Sequence, residues 1–184
     1  MIVDPETGAR FVNEMADRKK LADEILKAGH PCIGIADEQA IKNSGWKLNK
    51  SLKRNIVRKF DTLTELATYY DIPIKTLTES IKRYNQSIDC KVDQDFDKLI
   101  PDNADKLEHP PYYGVRLWPK VHYTMGGLRI NRDAQVIDED KKPIKGLYAA
   151  GEVVGGVHGA NRLGSCAVIE CLVFGRIAGR NAGK

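Results

Sequence analysis

The sequence predicts an α+β chain in two parts: helices with a short sheet over residues 1–120, then strands running into one C-terminal helix over residues 121–184. Three observations carry this reading. Apolar residues recur at helical spacing from Thr62 to Ile88, in two runs separated by a proline. From Tyr112 the spacing changes to the alternation of strands. Residues 146–184 then hold a short apolar strand, a glycine-rich loop and an apolar helix, in that order.

In chain order, Met1-Ile2-Val3 reads as a strand and Asp4 to Gly8 as a turn, with Arg10–Glu14 as a second extended segment that completes a hairpin. A helix is expected from Asp17 to Lys27, with Leu21, Ile25 and Leu26 on one face and Gly29-His30-Pro31 ending it. Cys32–Ala36 reads as a short buried strand, and residues 37–90 as helical. Asp61 or Thr62 is a candidate N-cap with Glu65 soon after, and Leu63, Leu66 and Tyr70 form a stripe behind it. Ile72-Pro73 breaks that helix. The next runs from Pro73 to Ile88 with Leu77, Ile81 and Tyr84 inward, and the pair suits the core of a small domain better than a docking module. Residues 89–111 are polar and turn-rich, a surface excursion. Strands are expected at Tyr113–Trp118, Leu128–Asn131, Ala134–Asp138 and Gly146–Ala150, the last buried by its composition. The final helix, Ala167–Ala182, is expected to turn Val168, Leu172, Ile177 and Ala178 inward.

Bulk properties exclude several classes of function. With 184 residues, 42% hydrophobic and 29% charged, the composition is that of an ordinary globular protein. The net charge of +4 is spread, and its richest run, Lys47–Arg54, reads as a solvated helical face. No aromatic platform or reading element accompanies it, so no nucleic-acid partner is expected. The four cysteines include no CxxC and no zinc-like spacing with histidine, so no metal site is expected; Cys166 and Cys171 are assigned to packing. No apolar run reaches membrane-spanning length. The first residues lack the pattern of a signal peptide, and the chain is expected to begin inside a larger fold.

A few residues stand where chemistry is done. Glu152 follows a buried strand and Gly151, the position at which open α/β sheets bind ligands, and suits a ribose or ribitol hydroxyl; a helix cap or a solvated loop acid is an equal reading. Arg162 follows Gly155-Gly156 and Gly159-Ala160 and precedes a helix start near Gly164-Ser165. Its guanidinium fork matches a carboxylate, and the free N–H groups of a helix N-terminus favour negative charge beside it, although a lone arginine there also reads as a surface residue. His122 precedes the Gly126-Gly127 pair, and reads either as a satisfied hydrogen-bonding residue or as a ligand contact. His30, His109 and His158 are assigned to structure or solvent, with His158 the least secure because it lies in the glycine loop. Arg18 reads as a helix-start arginine facing solvent and paired with Glu14 at i,i+4.

Together, Gly8-Ala9-Arg10-Phe11-Val12-Asn13-Glu14 with Arg18, His122-Tyr123-Thr124-Met125-Gly126-Gly127, and the run Gly146 to Gly164 resemble the soluble fumarate reductase flavoproteins, including the flavocytochrome c type, within the succinate dehydrogenase/fumarate reductase flavoprotein family. The resemblance implies a cap (clamp) domain over residues 1–120. It implies that residues 121–184 are the C-terminal strands and helix of a Rossmann-like FAD-binding domain whose N-terminal part is absent. It implies Arg18 as the catalytic proton donor, and His122, Arg162 and Ser165 as substrate contacts. It implies Tyr123, Gly151, Glu152, Ala167 and Val168 as FAD contacts. The activity implied is hydride transfer from reduced FAD to the C=C bond of an unsaturated carboxylic acid, fumarate first. Urocanate- or acrylate-type acids are alternatives, as is a non-catalytic fragment that only packs with a partner. An arginine is a reluctant acid, with an ordinary pKa above ~12, and gives up a proton only in a dry, positive site.

Two departures qualify what the resemblance implies. Gly164-Ser165-Cys166 stands where the family often has Gly-Gly-Asn or Gly-Gly-Ser, so a side chain at 165 narrows the expected pocket. No GxGxxG phosphate loop is present, so this chain by itself is expected to bind FAD weakly or not at all. Its partners are then a small dicarboxylate or other unsaturated acid, and the upstream half of the FAD domain or an electron-donor domain.

Overall fold

The computed structural model describes residues 1–184, which divide into two units, Met1–Pro119 and Lys120–Lys184. In the first, β1 (Ile2–Val3), β2 (Cys32–Asp37), β3 (Val57–Phe60) and β4 (Tyr112–Leu117) form an antiparallel sheet in the order β1-β2-β4-β3. Period-two alternation along β2 sends its side chains into two different cores. Ile33 and Ile35 join Val3, Leu66, Tyr70, Leu77 and Ile81 in the larger one. Cys32 joins Ile2, Val12 and Ile25 in the smaller. Leu66 and Leu77 are wholly buried, and each such side chain contributes about 1.5–3 kcal/mol by leaving water.

The helices start and stop where their local chemistry dictates. In α1 (Arg18–Ala28), Asp17 accepts hydrogen bonds from the Lys19 and Lys20 N–H groups, and Gly29 ends the helix at φ +80°. Two short helices follow β2, α2 (Glu38–Ser44) and α3 (Asn49–Lys53). Thr62 and Glu65 form a reciprocal capping box at the head of α4 (Leu63–Tyr70). Pro73 separates α4 from α5 (Ile74–Cys90), whose buried face is Leu77, Ile81 and Ile88. Gly8 is packed against the start of α5: a Cβ there would lie 2.9 Å from the Pro73 carbonyl oxygen.

Four expectations for this unit are corrected. Leu26 is exposed, because it stands one residue, about 100° of helix, past the buried Ile25. Arg10–Glu14 is no hairpin strand; it keeps a single bridge, Val3 with Arg10. Residues 37–90 are not all helical, since Val57–Phe60 pairs with β4 as an edge strand. The 89–111 excursion buries Asp93, Ile100 and Leu107. It is stitched down by the fully buried Asp37, whose carboxylate accepts from the Glu108 and His109 N–H groups at 3.1 and 2.9 Å.

In the second unit, β5 (Gln135–Ile137) and β6 (Pro143–Tyr148) form an antiparallel ribbon, and α6 (Cys166–Ala182) follows the glycine loop. Leu128–Asn131 is not a regular strand; it makes isolated bridges through Leu128 to Val154 and Ile130 to Val136. Along α6 the half-buried or buried residues are Cys166, Ala167, Glu170, Phe174, Ile177, Ala178 and Asn181, one continuous stripe. Val168 and Leu172 lie outside it, 66% and 68% exposed, and Gly146–Ala150 is at most half-buried. A two-stranded ribbon covers only one face of a helix, so the apolar composition of β6 and α6 exceeds what this unit buries. Cys171 is exposed and Cys166 half-buried, so the packing role expected for Cys171 is not realised.

Candidate functional site

On the first unit, the motif around Arg10 builds a buried ionic knot. The Arg10 guanidinium donates to both Asp93 oxygens, at 2.9 and 2.7 Å, and to both Glu14 oxygens, each at 2.9 Å. It lies 4.9 Å from the Phe96 ring centroid and 5.3 Å from that of Tyr84. Burial raises the Glu14 carboxyl, but the Arg10 hydrogen bonds, with the Lys98 charge, outweigh it and hold Glu14 down to about 2. Asp93 is held below the ordinary carboxylate range by the same balance of burial against Arg10. Asn13 completes the knot, donating to the Phe96 and Asp97 carbonyls at 3.2 Å.

This knot fixes the chain that leads into α1, whose first residue is Arg18. Arg18 is exposed and makes no ion pair. Its expected partner Glu14 is taken by Arg10 and by Lys98, the latter at 3.3 Å, because Glu14 lies before the helix begins and i,i+4 geometry does not apply to it.

On the second unit, glycines bring two loops into backbone contact. A Cβ on Gly127 would lie 2.3 Å from the Val153 carbonyl oxygen, and one on Gly155 would lie 2.5 Å from the Gly127 nitrogen. No larger residue fits at that approach. Leu128 N–H donates to the Val153 carbonyl at 2.8 Å, and Gly155 N–H to the Leu128 carbonyl at 3.0 Å. The 122–127 segment is thereby aligned with the loop that follows Gly151.

Four side chains meet there. The Tyr123 hydroxyl donates to Glu170 Oε2 at 2.6 Å, and His158 Nε2 lies 3.2 Å from the same oxygen. The Tyr123 and His158 rings meet edge to face at 5.5 Å. The Arg162 guanidinium carbon sits 4.5 Å from the Tyr123 ring centroid. Its Nη1 donates to the Leu163 carbonyl at 2.9 Å, and its Nε is buried without a partner. Glu170 Oε1 is likewise buried and unpartnered. The hydrogen bond to Glu170, with burial, pushes the Tyr123 phenol up to about 12.

The remaining expected residues are distributed more loosely. Glu152 is exposed and accepts from the Thr124 N–H at 2.9 Å. Gly151 is buried at φ +83°. Ser165 stands at the N-cap of α6 at φ +65° without a side-chain cap, and no acid occupies the first turn. The N–H groups of Ala167 and Val168, in that turn, lack intrahelical acceptors. His122 is exposed and makes no hydrogen bond. Tyr123 and Arg162 thus share one cluster; His122, Glu152 and Ser165 lie outside it.

Glu170 is absent from the set that the sequence singles out, and His158 is assigned there to structure or solvent. The sequence does hold one signal for Glu170: it is the only acid between Cys166 and Ala182, and falls on the same helical stripe as Ala167, Phe174 and Ile177. An acid on that face needs a partner.

The chemistry of this donor set suits an electron-rich ring edge and a carboxylate: an uncapped helix N-terminus, backbone N–H groups exposed by glycine, and a guanidinium with unused donors. No group of three or more His, Cys, Asp or Glu side chains is arranged to hold a metal ion. No helix is long and apolar enough to cross a membrane.

Residues 1–168 match the family described as FAD binding domain, and the chain belongs to that family. Over 97% of its length it is 44% identical to the acrylate reductase flavoprotein subunit of Shewanella woodyi, of which it covers 36%. It is 38% identical, over 96% of its length, to a fumarate reductase (cytochrome) of Shewanella frigidimarina, of which it covers 31%. Among solved structures, the open conformation of a flavocytochrome c3 fumarate reductase matches with a TM-score of 0.75 and 39% identity, over 98% of this chain and 32% of that one. The chain spans about a third of the length of these relatives. The α+β class and the resemblance to fumarate reductase flavoproteins both hold.

Proposed function

We propose that this chain forms the substrate-clamping portion of an FAD-dependent reductase of unsaturated carboxylic acids, with residues 1–120 as the cap and residues 121–184 as the closing segment of the flavin domain. The observation that carries the reading is Arg162. The residue is 7% exposed, its guanidinium is stacked on Tyr123, and it retains a buried donor with no acceptor in the protein. A buried cation with unspent donors suits an anionic ligand.

The donor set fits one edge of FAD. In this proposal the Ala167 and Val168 N–H groups would hold the pyrimidine edge, Glu152 and Gly151 would serve the ribityl region, and Tyr123 would be a further contact to the cofactor. When bound and reduced, FAD supplies the hydride. Arg162 and His122 bind a substrate carboxylate and draw electron density from the conjugated double bond, while Ser165 limits the pocket. Arg18 delivers the proton that balances the hydride at the neighbouring carbon. Much of the acceleration comes from orientation and from cationic stabilisation of the carbanion that develops.

Fumarate is the substrate proposed first, from the 38% identity to a fumarate reductase. An acrylate-type monocarboxylate is the second reading, favoured by the 44% identity to an acrylate reductase subunit and by the side chain at Ser165. By itself the chain is proposed to bind FAD loosely, since it contains no GxGxxG loop. The exposed apolar face of α6, with Val168, Ile169, Leu172 and Val173, supports packing against further polypeptide.

The test is a chimera in which this chain replaces the aligned third of the Shewanella woodyi acrylate reductase subunit. Oxidation of a reduced dye that depends on fumarate or acrylate supports the proposal. A chimera that retains FAD yet reduces neither acid refutes it.

A further inference from the structure

Two buried, oppositely charged groups in the second unit fail to pair. Arg162 Nε and Glu170 Oε1 are both buried without partners, yet no ion pair joins the two residues. An unpaired buried charge is costly, and direct pairing is its simplest relief. What lies against both is Tyr123. Its ring face carries the guanidinium, at 4.5 Å, and its hydroxyl holds the carboxylate, at 2.6 Å. His158 braces the arrangement, with Nε2 3.2 Å from Glu170 Oε2 and its ring edge-on to Tyr123.

We propose that Tyr123 and Glu170 are positioning residues that keep Arg162 available: the tyrosine, anchored by its hydroxyl on Glu170, holds the guanidinium by stacking and prevents an internal Arg162–Glu170 ion pair. This rests on the reading of Arg162 as the carboxylate clamp. A guanidinium that collapsed onto Glu170 would spend the fork that a substrate carboxylate needs. Stacking holds the cation without consuming its in-plane N–H donors.

The side-chain Nε–Hε signal of Arg162 reads the pairing directly in this chain, by NMR, and Arg162→Met assigns it. In the wild type the signal is that of an unpaired N–H. Tyr123→Leu moves it downfield, as contact with a carboxylate does, and adding Glu170→Gln returns it. Tyr123→Phe, which keeps the ring but frees Glu170 from it, moves the signal part of the way downfield. An unmoved signal in folded Tyr123→Leu overturns the proposal, as does an equal movement in the double variant. Should Tyr123→Leu fail to fold, Tyr123→Phe decides: a downfield move that Glu170→Gln reverses supports the anchored spacer, and an unmoved signal overturns it.

In the reductase chimera, Tyr123→Leu weakens inhibition by malonate roughly tenfold, the loss of one charge-assisted hydrogen bond, and Glu170→Gln added to it restores most of that. Arg162→Met examines the clamp separately. If malonate inhibition survives that change, the clamp reading fails while the NMR result on pairing stands.

Discussion

Arg10 grips Asp93 through both terminal nitrogens, at 2.9 and 2.7 Å, across 83 residues of chain. That contact ties the segment before α1 to the excursion after α5, and so sets where Arg18 begins its helix. Both side chains are almost wholly removed from water, 5% and 0% exposed. Removing one partner leaves the other charge buried alone. Asp93→Ala is expected to destabilise the first unit by about 3–5 kcal/mol, read as a shift of the urea midpoint. A change below about 0.5 kcal/mol would show the knot to be incidental.

The same knot sets an acid limit. Glu14 is held to about 2 in the folded protein, against an ordinary value near ~4.3 in an unfolded chain. A depressed carboxyl contributes stability that is fully present above the unfolded value and is lost as pH falls toward the folded one. Stability of the first unit therefore declines between about pH 5 and pH 2, and Glu14→Gln flattens that part of the profile. Urea melts across this range check it.

Tyr123 gives a limit at the other end. Its phenol is pushed up to about 12 by the hydrogen bond to Glu170. Glu170→Gln is expected to bring that ionisation back toward ~10, followed by ultraviolet titration with Tyr123→Phe to identify the step. A raised phenol favours the fold below its unfolded value and loses that contribution as pH rises through the folded one. Tyr123 ionisation unchanged by Glu170→Gln would mean that the hydroxyl points elsewhere.

Ser165 occupies φ +65°, a region that suits glycine better than serine. Ser165→Gly is expected to stabilise the second unit by about 1 kcal/mol, seen as a higher thermal midpoint. Ser165→Val, with a β-branched side chain, lowers it. If the acid specificity of the chimera also follows the size of residue 165, with glycine favouring the larger acid, the pocket-narrowing role is supported.

Much of the fold is legible in the sequence because its signals are local. The Thr62–Glu65 capping box, the Pro73 break and the Leu66/Tyr70 and Leu77/Ile81 stripes each declare a helix within a few residues. What escapes a sequence reading depends on distant partners. Val57–Phe60 is a strand only because β4 lies beside it. Asp37 and Asp93 are buried only because far parts of the chain bring them hydrogen-bond donors. Val168 and Leu172 are expected inside because apolar composition states a demand for burial, which this unit's ribbon does not meet.

The candidate site divides the same way. Arg162 stands out through the glycines around it, which are a local signal. Glu170 does not, because its importance lies in two partners, Tyr123 and His158, that arrive from separate loops. The residues that carry the family likeness near Arg10 also hold the first unit together, since Arg10, Asn13 and Glu14 all bind the 93–98 segment or one another.

The most direct measurement of the central claim is the turnover of Arg18 variants in the FAD-loaded chimera, with reduced dye as donor and fumarate and acrylate as acceptors. Arg18→Ala and Arg18→Lys are expected to lose at least ~100-fold in turnover, the scale of a positioned general acid, while FAD content stays at the parent level. Substantial turnover in Arg18→Lys, with FAD bound, would contradict that claim.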